Sequence, residues 1–396
     1  MGDSPSEADG PATQAIAAGR SGDWARQVPN PPIYRASTHL FADCAALRAT
    51  HVDAVDGRRF FYGRQGSPTQ WALEDALTEL EPGAAGTVLY PSGLGAITGA
   101  LLTVLKPGDT LLMTDNAYGP SRDFARGFLK RMGVATRFFD PRDAAGFPAM
   151  FDGKTRAVLL ESPGSLTMDV SDTPGLAAMA RERGAAVLLD NTWATSMGFA
   201  ALRHGADIAI TALTKHVGGH SDIMLGSCSA GADWYLPLRR TARALGHVVS
   251  PDDAALALRG LRTMPLRLER QTESALRVAA WLAARSEVAE VHCPLLPGSA
   301  GHAMWSRDFT GGCGLFTFVL RDADDAARCR FIDTLRLFGI GYSWGGYESL
   351  ALPVDPDMCR AVMSSPPRGA AIRLFIGLEE PADLIADLAN GFAAMR

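Results

Sequence analysis

From about residue 66 the chain alternates short apolar runs with longer amphipathic ones, and this alternation constrains the fold more than any other feature. Thr87–Tyr90, Thr110–Thr114, Ala157–Glu161, Ala186–Asp190, Ile208–Ala212 and Leu225–Ser229 read as strands buried on both faces. Between them, Trp71–Leu80, Leu94–Leu105, Arg122–Arg131 and Pro174–Arg183 read as helices. Strands alternating with helices build an α/β layer, a mostly parallel sheet flanked by helices. Such sheets bind ligands at the carboxyl ends of their strands. Past about residue 252 the texture changes. A long helical region, Asp252–Arg285, precedes two alternating runs, Gly314–Leu320 and Ala371–Ile376, with a helix near 323–338 between them. The expected organisation is a mobile leader and N-terminal arm over 1–65, a large domain over 66–255 and a smaller α+β domain over 256–396.

With 396 residues and 47% hydrophobic content, the chain can bury more than one core. Its formal net charge of −5 is spread over both signs, with no basic stripe for nucleic acid. The charge-free stretch from Gly83 to Leu105 is nominally long enough to cross a bilayer, but Pro91-Ser92-Gly93 splits it into a strand and a helix. No membrane association is expected. The first 28 residues lack an apolar h-region and read as a mobile leader, not a signal peptide. Six scattered cysteines, Cys44, Cys228, Cys293, Cys313, Cys329 and Cys359, suit reduced, buried thiols in the cytoplasm.

Two charged residues stand where the strand pattern would place a ligand. Asp190 closes the run Val187-Leu188-Leu189, and Lys215 follows Ile208–Ala212. Charges in such places are costly unless paired or used. Pyridoxal phosphate uses this pair, a lysine for the Schiff base and a carboxylate for the pyridine nitrogen. A surface lysine just past a strand end is the plainer reading of Lys215 by itself. Pro91-Ser92-Gly93-Leu94-Gly95 opens a helix and offers backbone N–H groups to an anion, although most Gly-rich turns only need positive φ. Thr214 adds a hydroxyl beside Lys215. Tyr118 follows a strand and can stack on a flat ring, or simply pack at a loop edge. His216 and His220 have a spacing that two metal ligands could use; with two intervening glycines and no partner carboxylate, no metal site is expected.

The motifs Tyr62-Gly63-Arg64, Glu161-Ser162-Pro163-Gly164-Ser165, Asp190-Asn191-Thr192-Trp193, Thr214-Lys215, Gly219-His220-Ser221-Asp222, Tyr342 to Ser349 and Arg373 to Glu379 together resemble the pyridoxal-phosphate enzymes of Cys/Met metabolism. The resemblance runs from Asn30 to near the C-terminus. It implies PLP-dependent fold type I, the aspartate aminotransferase-like architecture, with pyridoxal 5'-phosphate as cofactor. It also implies roles. Lys215 would hold the cofactor and carry protons, Asp190 would face the ring nitrogen, and Tyr118 would stack on the ring with a part in catalysis. Gly93, Leu94 and Thr214 would bind the phosphate, with Tyr62 and Arg64 reaching over from a neighbouring subunit. Arg373 would take the substrate carboxylate, beside Ser343, Trp344 and Tyr62. The implied assembly is a homotetramer built from dimers with shared active sites, acting on a small amino-acid thioether.

Within that family, Gly164-Ser165, Trp344 with Tyr347, and Pro120-Ser121 favour the branch that eliminates at Cβ, whereas Gly119 is a feature of enzymes acting at Cγ. The implied reaction is a carbon–sulfur lyase reaction that takes L-cystathionine to L-homocysteine, pyruvate and ammonia. Cleavage or replacement at Cγ, another β-substituted amino acid, or a non-catalytic relative that binds the cofactor are the alternatives. Two positions depart from the branch pattern: His216 stands where a tyrosine is usual, and a tyrosine is missing near Arg243.

Overall fold

The structure is a computed structural model that describes residues 6, 8–20, 28–50, 58–356, 360–363 and 369–395. Seven strands form the larger sheet: β1 (Gly86–Tyr90), β2 (Thr110–Thr114), β3 (Ala135–Phe139), β4 (Thr155–Glu161), β5 (Ala186–Asp190), β6 (Ile208–Thr211) and β7 (Gly226–Ala230). Their spatial order is β1-β7-β6-β5-β4-β2-β3. The strands from β2 to β6 run parallel, and β7 lies antiparallel between β1 and β6. Strands β1, β2 and β7 are buried along their whole length, which explains their unbroken apolar runs. The sequence pattern did not reveal β3. It is an edge strand, and its residues alternate between exposed and half-buried up to the buried Phe139.

Local chemistry places the helices. Ser67 and Gln70 form a capping box at the start of helix Pro68–Leu80, and the Ser92 hydroxyl accepts the Gly95 amide at 2.9 Å to start helix Gly93–Val104. The helix expected over 122–131 begins earlier, at Gly119, with Pro120 in its first turn, and continues as a π-helical turn over Ala125–Leu129. The charge-free stretch divides into β1 and the helix Gly93–Val104. No helix among the described residues is long and apolar enough to cross a membrane.

A second sheet holds β8 (Val288–His292), β9 (Leu315–Leu320), β10 (Gly339–Ile340), β11 (Leu350–Val354) and β12 (Ala371–Phe375), in the order β10-β11-β12-β9-β8. Only β9 and β12 were legible as alternating runs. Pro353 interrupts β11, and β8 has exposed or half-buried residues along most of its length. Helix Pro251–Ala283 packs against helix Pro68–Leu80 and also against β8 and the C-terminal helix Pro381–Ala394, so it ties the two sheets together. One apolar cluster runs through both parts, and a second fills the other face of the larger sheet.

The leader requires a correction. Residues 11–20 are docked, not mobile: Pro11–Ala17 is a helix in which Ala15 is fully buried, as is Ala18 just beyond it. Arg262 donates to the carbonyls of Ala15 and Ala18 at 2.7 and 2.8 Å, and Gly19 N donates to the Glu79 carboxylate at 2.8 Å. Alanines this small dock closely without leaving the wide apolar stripe that marks a packed helix. Residues 1–5, 7 and 21–27 of the leader lie outside the described residues. The thiols also divide: Cys228, Cys293 and Cys313 are buried, Cys329 is half-buried and Cys44 is exposed, while Cys359 lies outside the described residues.

Gly19 has φ +70, and a Cβ there would lie 2.3 Å from the Ala72 carbonyl oxygen. Gly19→Val should therefore lift the N-terminal helix off its seat at a cost of about 1–3 kcal/mol. The expected result is faster tryptic cleavage at Arg20 and a lower Tm. Wild-type values for both would show that docking does not depend on this approach.

Candidate active site

The carboxyl ends of β4, β5 and β6 converge on one cleft, as a parallel sheet requires. β5 ends on Asp190, which accepts from the Thr192 amide at 3.0 Å and from the Thr192 hydroxyl at 2.6 Å. The Thr192 hydroxyl oxygen also accepts the Ala212 amide at 2.9 Å, linking this loop to the turn after β6. Burial raises the Asp190 pKa against the opposing pull of these bonds and of Lys215. No carboxylate–cation pair within 4 Å neutralises Asp190 among the described residues, which leaves its charge for a group placed in the cleft.

Lys215 lies in the turn that leaves β6. Its Nζ donates to Ser343 Oγ at 2.6 Å and sits 5.1 Å from the centre of the Trp344 ring. Burial, with the positive charge of Arg373, lowers its pKa to about 8. Arg373, on β12, donates from Nη2 to the Ser343 carbonyl at 2.9 Å. No carboxylate pairs with Arg373 among the described residues, so its guanidinium remains available to an anion. One residue thus joins the lysine to the arginine, and it does so in an uncommon conformation. Ser343 has φ +81, and Gly345 follows at φ +91, where a Cβ would lie 2.8 Å from Lys215 Cα.

The opposite wall carries the anion cradle. Gly93 starts its helix so close to the turn after β6 that a Cβ would stand 2.5 Å from Ala212 Cβ. The Thr214 hydroxyl accepts from Leu225 N at 3.0 Å and donates to Leu225 O at 3.1 Å, which fixes the turn. The first amides of the helix, at Gly93 and Leu94, belong to the turn that helices leave without internal partners. Tyr118 stands at the start of the helix Gly119–Phe124 and is 45% exposed, and its amide donates to Glu161 Oε2 at 2.6 Å. Lys215, Ser343, Trp344 and Arg373 are therefore joined by direct contacts, and Asp190 and Tyr118 share their electrostatic environment. Tyr62 and Arg64 stand apart. Arg64 donates to the Arg243 carbonyl at 3.1 Å and lies 5.7 Å from the Tyr62 ring.

Sequence reasoning left several residues of this region without a role. Asp115 is fully buried, pairs with Arg122 at 2.6 Å and accepts the consecutive amides of Ala361, Val362 and Met363 at 2.8–3.0 Å. Arg360 reaches the Ser165 carbonyl from the same segment. Contacts between residues 246 apart leave no local pattern. Glu161 did leave one, since it ends an apolar strand just as Asp190 does. His216, one of the departures noted above, is buried 5.2 Å from Trp344 and 6.3 Å from Phe375, and burial lowers its pKa to about 3, so its ring is neutral.

A model of the family described as Cys/Met metabolism PLP-dependent enzyme matches residues 12–393. The chain belongs to this family. It is 46% identical to a putative cystathionine beta-lyase from Rhizobium johnstonii, over 92% of this chain and 91% of that protein. It is 43% identical to the cystathionine beta-lyase MetC of Escherichia coli, over 96% of this chain and 98% of that one. Among solved structures, cystathionine gamma synthase from Xanthomonas oryzae pv. oryzae, in complex with cystathionine, superposes with a TM-score of 0.88 at 33% identity and 98% coverage of both chains. The fold is PLP-dependent fold type I, the protein is an enzyme of this family, and its cofactor is pyridoxal 5'-phosphate. The cleft fits that group: a carboxylate without an ionic partner, a lysine of lowered pKa, a glycine cradle closed to any larger residue, and an exposed aromatic ring.

The electrostatics carry a direct prediction. Arg373 lowers the Lys215 pKa, so Arg373→Leu should raise it. In cofactor-free protein, the rate of acylation of Lys215, followed by peptide mass spectrometry, should reach half its maximum near pH 8 and move to higher pH in the variant. An unchanged midpoint would mean that the two charges do not communicate.

Proposed function

We propose that this enzyme is a carbon–sulfur lyase that takes L-cystathionine to L-homocysteine, pyruvate and ammonia by elimination at Cβ. The observation that carries this reading is the Lys215–Ser343–Arg373 connection. An amino acid whose carboxylate is held by the Arg373 fork has its Cα within reach of the Lys215 amine. Pyridoxal phosphate, when bound, supplies the electron sink for the charge left at Cα, with Asp190 facing its ring nitrogen, Tyr118 its face, and Gly93, Leu94 and Thr214 its phosphate.

Lys215 removes the proton from Cα, and its lowered pKa makes it a far better base near neutrality than a free lysine. The Cβ–S bond then breaks, and the sulfur leaves with the electron pair as a thiolate, which a proton converts to L-homocysteine. Water hydrolyses the remaining three-carbon unit to pyruvate and ammonia. Ser343 accepts the lysine's hydrogen bond, and Trp344 closes the same wall against water. The names of the relatives support the choice of substrate, as do Gly164-Ser165 and Trp344.

The same reading extends to organisation and assembly. Residues 66–255 form the cofactor-binding domain and 256–396 the smaller domain, and the enzyme works in the cytoplasm as a homotetramer of dimers. Tyr62 and Arg64, on an exposed arm and away from the lysine of their own chain, complete the phosphate site of a neighbour, with Tyr62 also meeting that neighbour's substrate. Arg64→Ala and Lys215→Ala proteins should each be nearly inactive, and reassembling them together should restore part of the activity, because a mixed pair contains one site with neither defect. No recovery after proven subunit exchange would count against sharing.

The keto acid reports which carbon–sulfur bond broke. Pyruvate from L-cystathionine is the expected product. Dominant 2-oxobutyrate would move the enzyme to Cγ chemistry. Absence of both, with pyruvate formed from S-alkylcysteines, would keep the elimination and replace the substrate.

A further inference from the structure

Glu161, the last residue of β4, is a carboxylic acid that this mechanism does not use. Its register partner is Asp190, the last residue of β5, so two carboxyl groups end neighbouring parallel strands at the cleft. They point to different work. Asp190 is held by its own loop through Thr192, whereas Glu161 Oε2 reaches the loop after β2 and accepts the Tyr118 amide at 2.6 Å. Tyr118 needs such a tether. No side-chain cap holds the start of its helix, and the residue is nearly half exposed.

We propose that Glu161 is a positioning residue, which fixes the Tyr118 ring for stacking on the cofactor by accepting the amide of that tyrosine. The proposal rests on the reading above that Tyr118 stacks on the cofactor ring. Two considerations favour an acceptor over a charge. Burial, with Asp190 alongside, pushes the Glu161 pKa well above the ordinary carboxylate range, and two adjacent buried carboxyl groups do not both keep a charge. A neutral Glu161 leaves Asp190 as the single anion of the pair. Accepting an N–H needs only a carbonyl oxygen, which glutamine also supplies.

The test uses cofactor-free protein titrated with pyridoxal phosphate, reading Kd from tryptophan fluorescence and ring orientation from visible circular dichroism. Glu161→Gln, which keeps a carbonyl acceptor in place and cannot ionise, should bind within about threefold of wild type. Glu161→Asp keeps the carboxyl group but withdraws the acceptor by one methylene. It should lose roughly tenfold or more in affinity, with a weakened dichroic band, as should Tyr118→Ala. Wild-type behaviour of Glu161→Asp would overturn the proposal. So would a tenfold loss in Glu161→Gln, which decides the matter even if Glu161→Asp folds poorly. Wild-type binding by Tyr118→Ala would instead sink the stacking reading, and the proposal with it.

Discussion

The short bond between Lys215 and Ser343 is the constraint on which the site depends. One partner comes from the turn after β6 in the larger sheet, and the other from the segment that precedes β11 in the smaller one. The bond requires Ser343 in the left-handed region and Gly345 against the lysine backbone, where no side chain would fit. Backbone strain of this kind costs of order 1–3 kcal/mol and persists only where its surroundings over-determine it. Here the carbonyl of the strained residue also holds Arg373. The anchor for a carboxylate and the base thus both rest on one residue, the first on its carbonyl and the second on its hydroxyl.

The larger sheet supplies the electrostatic half of the design. Parallel strands bring their carboxyl ends to one edge, so Glu161, Asp190 and Lys215 gather there although they are far apart in sequence. Burial then acts on each in the direction of its neutral form, raising the acids and lowering the base. Such groups are expensive in the protein alone. Their burial is consistent with a cationic aromatic ring as the group that completes the cleft, since it would satisfy an unpaired carboxylate and take up the lysine.

Much of this was legible in the sequence because its cause is local. Apolar runs mark strands buried on both faces, and a carboxylate or lysine at the end of such a run stands out; Asp190 and Lys215 were found that way. The strands that escaped notice are those whose burial is partial, β3 at an edge and β8 on the rim, and β11, where proline breaks the pattern. The docked helix over Pro11–Ala17 escaped because it packs through alanines. Asp115 was invisible for another reason. The three amides that it accepts lie some 250 positions away, and only the folded chain brings them together.

That buried carboxylate has a consequence for recombining relatives of this enzyme. Three consecutive amides of a segment beyond β11 converge on one side chain of the loop after β2, so the C-terminal part is fastened beside Tyr118 by backbone groups that any residue but proline could supply. Among the described residues, the side chains that matter to this fastening are the acceptor, its partner Arg122 and Arg360, which reaches the Ser165 carbonyl. A chimera that joins the N-terminal half of one family member to the C-terminal half of another therefore needs an acid at position 115 far more than it needs a matched sequence at 361–363. Compatibility across that junction can be judged from a few positions, 115, 122 and 360, instead of from the whole seam.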